Sequence, residues 1–231
     1  MKWYLIRWRT TFFTINIVIF KFKMNIKIID NFLKDQDFSD LCSLNINSVE
    51  RDKVKVYHNS VYNNGQIKND CIDKDTLKRL VKNYNHKALE LLEELNPKKV
   101  DLYEYAEFNI IETGADYKFP IHDDTPNKLL SGVVYLKPEK NSGTIFYDNK
   151  KGQGKKVIEW RPNRAVFFSR SEKETWHSYE GDGVSNRLAL VYNLMTNDIR
   201  GVCKAENKIY FFTKFRFLIN PYLHKYFKFT I

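Results

Sequence analysis

Between residues 114 and 193 the chain is cut into seven short apolar and aromatic runs, each bounded by turn-forming residues. They lie at 117–122, 132–137, 144–147, 156–160, 165–168, 176–179 and 187–193. Each is too short for an ordinary helix, and regular short strands with turn signals predict a β-sandwich or barrel. The two glycines between 149 and 155 mark a hairpin loop, and the Walker pattern that would make a phosphate loop is missing.

Upstream, the pattern changes. Leu77, Leu80, Val81, Tyr84, Ala88, Leu91, Leu92 and Leu95 recur at the helical period, with Pro97 just beyond, predicting a helix over 75–95. Its apolar stripe needs a sheet to cover, and His86 falls on the opposite, solvated face. A strand over 101–111 would accept the stripe through Leu102, Ala106, Phe108 and Ile110. The other face of that strand, with Tyr103, Tyr105, Glu107 and Asn109, lines a binding cavity or faces water; alternation alone does not separate the two. Earlier still, 26–29 reads as a strand and Asp35 as the cap of a short helix that places Phe38, Leu41 and Cys42 together. Val54 and Val56 alternate with lysines as a half-buried strand does, His58 reads as structural, and Asn63–Gly65 is a turn.

The chemistry concentrates between His122 and Arg187. Residues two apart on a strand share a face, so His122 and Asp124 point together and Asp123 points away. His177 follows 55 residues later. Two imidazoles and one carboxylate leave open positions on a metal, which suits a non-haem Fe(II) site, whereas structural zinc favours thiolates and four ligands. A His-x-Asp by itself is also found as a surface pair. Here it is joined by a downstream His, by Arg187 opening an alternating strand, and by Tyr135 in mid-strand.

In this stretch the chain resembles the Fe(II)- and 2-oxoglutarate-dependent dioxygenases, most closely their prolyl-hydroxylase-like branch. The likeness is carried by His122-x-Asp124, Tyr135–Leu136, Ser142–Gly143–Thr144, Phe167–Phe168, His177 and Arg187, and covers about residues 100–195. It implies a mainly β fold with flanking α-helices around a double-stranded β-helix, a jelly roll with the site at its open end. It implies Fe(II) held by His122, Asp124 and His177, with 2-oxoglutarate and O2 as cosubstrates and ascorbate as a supporting reductant. Arg187 would clamp the far carboxylate of 2-oxoglutarate bidentately and Tyr135 would add a hydroxyl, with Asn109 a further contact. The products would be succinate, CO2 and a hydroxylated substrate. Two departures bear on the substrate: Ala189 stands where plant-type members carry Ser, and Asn193 where several prolyl-hydroxylase relatives carry Trp. Tyr105, Asn109 and Asn193 are candidates to line the substrate pocket by strand parity. The substrate would be a peptidyl proline, another amino-acid side chain or a small metabolite. The other reading is a non-catalytic jelly-roll binding module.

The net charge of +10 suggests nucleic acid until it is located. Residues 1–23 contribute +5 and residues 200–231 contribute +6, which leaves 24–199 at −1. A near-neutral body argues against a basic groove, and the next arginine after Arg187 is Arg200, too late for the second arginine that nucleic-acid demethylases of this superfamily carry. Three scattered cysteines, Cys42, Cys71 and Cys203, form no Cys-x-x-Cys pair and fit a reducing, cytoplasmic compartment. The expected organisation is one domain over 24–199, with a mixed part at 24–99 and the jelly-roll core at 100–195. Residues 1–23 read either as sequence ahead of a natural start at Met24, the favoured reading, or as a weak membrane-surface anchor. The basic, aromatic extension at 200–231 closes the edge of the domain or touches an anionic surface such as a membrane.

Overall fold

The computed structural model describes residues 25–171 and 173–227; the expectation for residues 1–23 lies outside them. In chain order the elements are β1 (Ile26–Ile29), α1 (Asp35–Cys42), β2 (Val54–Tyr57), β3 (Asn59–Tyr62), β4 (Ile67–Asn69) and α2 (Lys74–Leu95). A 3-10 helix (Pro97–Leu102) leads into β5 (Tyr105–Thr113), β6 (Lys118–His122), β7 (Lys128–Lys137), β8 (Ile145–Phe146) and β9 (Lys156–Val157). Then come β10 (Ala165–Phe168), β11 (His177–Glu180), β12 (Arg187–Met195), α3 (Ile199–Ala205) and α4 (Tyr210–Phe227).

The strands form two antiparallel sheets. The larger runs β1-β10-β7-β12-β5-β3-β4, with β2 also on β5; the smaller runs β6-β11-β8-β9. This is the mainly β, double-stranded β-helix architecture, with α1 and α2 packed on the larger sheet. Strand parity sorts the core. Ala165 and Phe167 of β10 join Ala106, Phe108 and Ile110 of β5 against the buried stripe of α2. Val166 and Phe168 turn the other way and pack with Phe146, Ile158, Trp160 and Tyr135. Gly132 on β7 is required by this packing, because a Cβ there would come within 2.2 Å of the Phe167 ring.

The helix expected over 75–95 begins at Lys74, capped by Asp73, whose carboxylate accepts the N–H groups of Asp75 and Thr76. His86 is exposed, as expected, and faces Glu90. Three other expectations are corrected. Asp35 does not cap α1: the extended residue before the helix is Lys34, and Asp35 lies in the first turn, where its charge suits the helix dipole. The strand expected over 101–111 starts only at Tyr105, because Pro97 opens a 3-10 turn that carries the Lys99 ammonium into a buried ion pair with Glu206. Most of the seven strands keep their place, but 144–147 and Lys156–Trp160 shorten to the two residues each of β8 and β9. On the polar face of β5, Tyr105, Asn109 and Thr113 are buried, while Glu107 and Ile111 are half-buried.

Candidate metal and anion site

β6 ends at His122 and β11 begins at His177, and the two residues are direct cross-strand partners. Their rings stand 4.1 Å apart between centroids. Asp124, two residues beyond His122, completes a cluster whose potential ligand atoms all lie within 4.8 Å of one another. The Nδ1 of His122 faces the Pro120 carbonyl at 3.1 Å, and that of His177 faces the Thr175 carbonyl at 2.8 Å. A carbonyl only accepts, so each Nδ1 carries the proton and each Nε2 keeps its lone pair as the ligand atom. Asp123 points away, accepting from the Thr175 hydroxyl at 2.6 Å and the Lys173 N–H at 2.8 Å.

The electrostatics fit a cation. Burial, and then the neighbouring His177, push the His122 pKa down to about 3, so the ring is neutral and free to ligate. Burial would raise the Asp124 carboxyl, yet Lys128 and the two imidazoles hold it far below the usual carboxylate range. One Asp124 oxygen accepts from the Lys128 ammonium at 2.7 Å and the other from the Ser131 hydroxyl at 2.6 Å. Behind the loop, Arg170 donates its Nε–H to the Asp124 carbonyl at 3.1 Å and pairs through Nη1 with both oxygens of Glu206, at 3.0 and 2.7 Å. The Arg170 and Glu206 side chains are both buried, so the segment leading out of α3 braces the Asp124 loop from behind.

Arg187 opens β12 and lines the same cavity, which has a volume of about 210 Å³. Its guanidinium carbon lies 3.4 Å from the centre of the Tyr179 ring and 5.7 Å from that of Trp160. Burial pushes its pKa down, and its Nε–H and Nη1–H donors are buried with no hydrogen-bond partner among the described residues. The two rings stabilise the charge in part, but buried donors left without acceptors are costly, so they mark a place for an anion. Tyr135 stands in the wall behind: its hydroxyl donates to Thr144 Oγ1 at 3.0 Å and accepts the Thr144 N–H at 2.8 Å, while its ring stacks on Trp160. It is Thr144 that faces the cavity.

Of the residues singled out in the sequence, His122, Asp124, His177, Arg187 and Asn193 line one cavity. Asn109 and Tyr105 are not among the residues lining it. Asn109 is latched to Asn59 and Glu107, and Tyr105 stacks on Tyr62 at the far end of β5. The adjoining Ile111 and Thr113 reach the cavity in their place. Lys128, Ser131, Arg170 and Tyr179 were not anticipated. The spacing of Lys128 to Asp124 resembles an ordinary i,i+4 pair, and nothing local distinguishes the others.

No protein-family profile matches the chain, and no curated protein sequence matches it. Solved structures do. The fold is similar to that of a Pseudomonas putida prolyl-4-hydroxylase (TM-score 0.53, 14% identity, 76% of this chain and 94% of that one). It is also similar to IDO from Bacillus thuringiensis (TM-score 0.50, 12% identity, 75% and 90%). A Shewanella oneidensis structure assigned provisionally as an oxygenase is comparable (TM-score 0.50, 14% identity, 75% and 82%). The chain thus shares the double-stranded β-helix fold of these structures, and its own His122–Asp124–His177 cluster and buried Arg187 lie inside that fold.

Proposed function

We propose that the protein is an Fe(II)- and 2-oxoglutarate-dependent dioxygenase. The observation that carries this reading is the pairing, in one cavity, of a two-His, one-carboxylate cluster with a buried arginine that has two unpartnered donors. The cluster suits a six-coordinate metal with open positions. The arginine suits the remote carboxylate of a dicarboxylic keto acid whose other end chelates that metal.

When bound, iron supplies the coupled chemistry: O2 and 2-oxoglutarate yield CO2 and succinate, and one oxygen atom enters a C–H bond of the substrate as hydroxyl. The chain's own residues position and enclose. Pro120 and Thr175 fix the imidazole tautomers through their carbonyls. Ser131 and Lys128 orient the Asp124 carboxylate, and Arg170 holds its backbone. Tyr179 and Trp160 keep Arg187 flat, so its donor edge is presented in a fixed direction. Val54, Val56, Ile111, Val133 and Val191 give the remaining wall an apolar character that excludes water.

The substrate is an amino-acid side chain, peptidyl proline included, or a small metabolite, and Asn193 on the cavity wall is its candidate polar contact. The test is direct. Purified protein is given Fe(II), ascorbate and labelled 2-oxoglutarate; binding of both iron and 2-oxoglutarate is expected, with slow release of labelled CO2. Failure to bind either one would overturn the reading.

A further inference from the structure

Among the described residues, α4 carries an exposed apolar face. Phe211, Phe215, Leu218, Tyr222 and Tyr226 recur at 4, 3, 4 and 4 residues, one stripe of a helix, and are between 50% and 73% exposed. The stripe extends for about 22 Å at the helical rise. The opposite face, with Thr213, Phe217 and Asn220, is the one turned toward the protein. This inverts the usual arrangement of a surface helix, in which the apolar stripe is the buried one.

Charge indicates what covers it. From Asn207 to the C-terminus at Ile231 there is no acidic residue, while Lys208, Lys214, Arg216, Lys225 and Lys228 fall in the same stretch. Lys208 and Lys214 are exposed. A second copy would bring an equally basic face against this one. The chain's own residues 1–23 carry five basic residues and no acid, so they offer this face no opposite charge. A row of exposed Phe, Leu and Tyr side chains beside lysines suits the boundary between headgroups and acyl chains, where rings enter the apolar layer and ammonium groups meet lipid phosphates and carboxylates. Among the described residues, no helix is long and apolar enough to cross a membrane.

We propose that α4 lies in the surface of an anionic lipid bilayer through its Phe211–Tyr226 stripe. The proposal is independent of the chemistry in the cavity. It is tested by flotation of the full chain with phosphatidylcholine vesicles, with and without phosphatidylserine, at low and high salt. Flotation is expected with the anionic vesicles and should weaken about tenfold or more without phosphatidylserine or at high salt. Phe215→Ser combined with Leu218→Ser and Tyr222→Ser should weaken it at least about tenfold while the thermal unfolding midpoint is kept, since all three side chains are exposed. Lys208→Glu with Lys214→Glu should weaken anionic binding and flatten its salt dependence. The proposal is overturned if the wild type does not float, or if the triple variant floats equally well, which would assign binding to residues 1–23. It is also overturned if light scattering shows a wild-type dimer that the triple variant abolishes, or if polyglutamate binds the stripe in place of vesicles.

Discussion

His122 and His177 are register partners on antiparallel strands, although 55 residues separate them in the chain. The His–Asp–His cluster is therefore as rigid as the pairing of β6 with β11, and each imidazole is locked by a carbonyl of its own strand end. Loss of one of three ligands exceeds the roughly 10–100-fold effect of outer partners. His177→Ala should lower Fe(II) affinity by more than about a hundredfold and weaken 2-oxoglutarate with it, read by calorimetry under anaerobic conditions.

Arg187 separates from the metal ligands by a different signature. Arg187→Lys should leave iron binding in place while 2-oxoglutarate affinity drops on the order of tenfold to a hundredfold, the worth of one charged hydrogen bond. Arg187→Met removes a buried charge whose Nε and Nη1 donors have no acceptor among the described residues, so the ligand-free protein should gain stability, by about 1–4 kcal/mol. 2-Oxoglutarate should raise the melting temperature of the wild type and not of this variant. A ligand-free Arg187→Met protein less stable than the wild type would show that the guanidinium is compensated.

Glu206 balances two buried cations, Lys99 and Arg170, and through Arg170 reaches the backbone of Asp124. Glu206→Gln strips that charge with little change of shape. Stability should fall by about 3–5 kcal/mol, read from the denaturant midpoint. Metal affinity measured on the folded fraction should fall about 10–100-fold, as for other outer partners. A stability loss with unchanged metal affinity would reduce Glu206 to a packing role.

Asp37 is a buried carboxylate on α1 that accepts from Arg79 at 2.7 Å, Asn83 at 3.0 Å and the Tyr84 hydroxyl at 2.5 Å. Burial works against its ionisation, but these donors prevail and hold its pKa below the ordinary value. The unfolded carboxyl titrates near 3.9. The ionised group thus stabilises the fold at neutral pH, and this contribution fades as pH falls through about 4 toward the lower folded pKa. Asp37→Asn should lower the neutral-pH denaturation midpoint and make it less sensitive to acid; an equally steep acid dependence would place the titration elsewhere.

The sequence by itself determined what period and neighbour chemistry can encode. The stripe of α2, the strands around the site and the shared direction of His122 and Asp124 all follow from spacings of two or 3.6 residues. So does the outward turn of Asp123, confirmed by its bonds to Thr175 and Lys173. Only the tertiary structure decided which distant residues meet. The register of β11 on β6 brings His177 to His122, and the order of the larger sheet brings Ile111 and Asn193 to the cavity while Asn109 is taken up by β3. The brace from Glu206 through Arg170 to Asp124 joins three separate segments and has no local pattern. α4 escaped notice because its regular apolar spacing marks the face turned away from the protein, whereas core-facing residues are what sequence patterns are read for. Local propensity fixes the elements. Register, burial and long-range charge pairing fix which of their side chains share a site, because those energies depend on residues brought close only when the chain is folded.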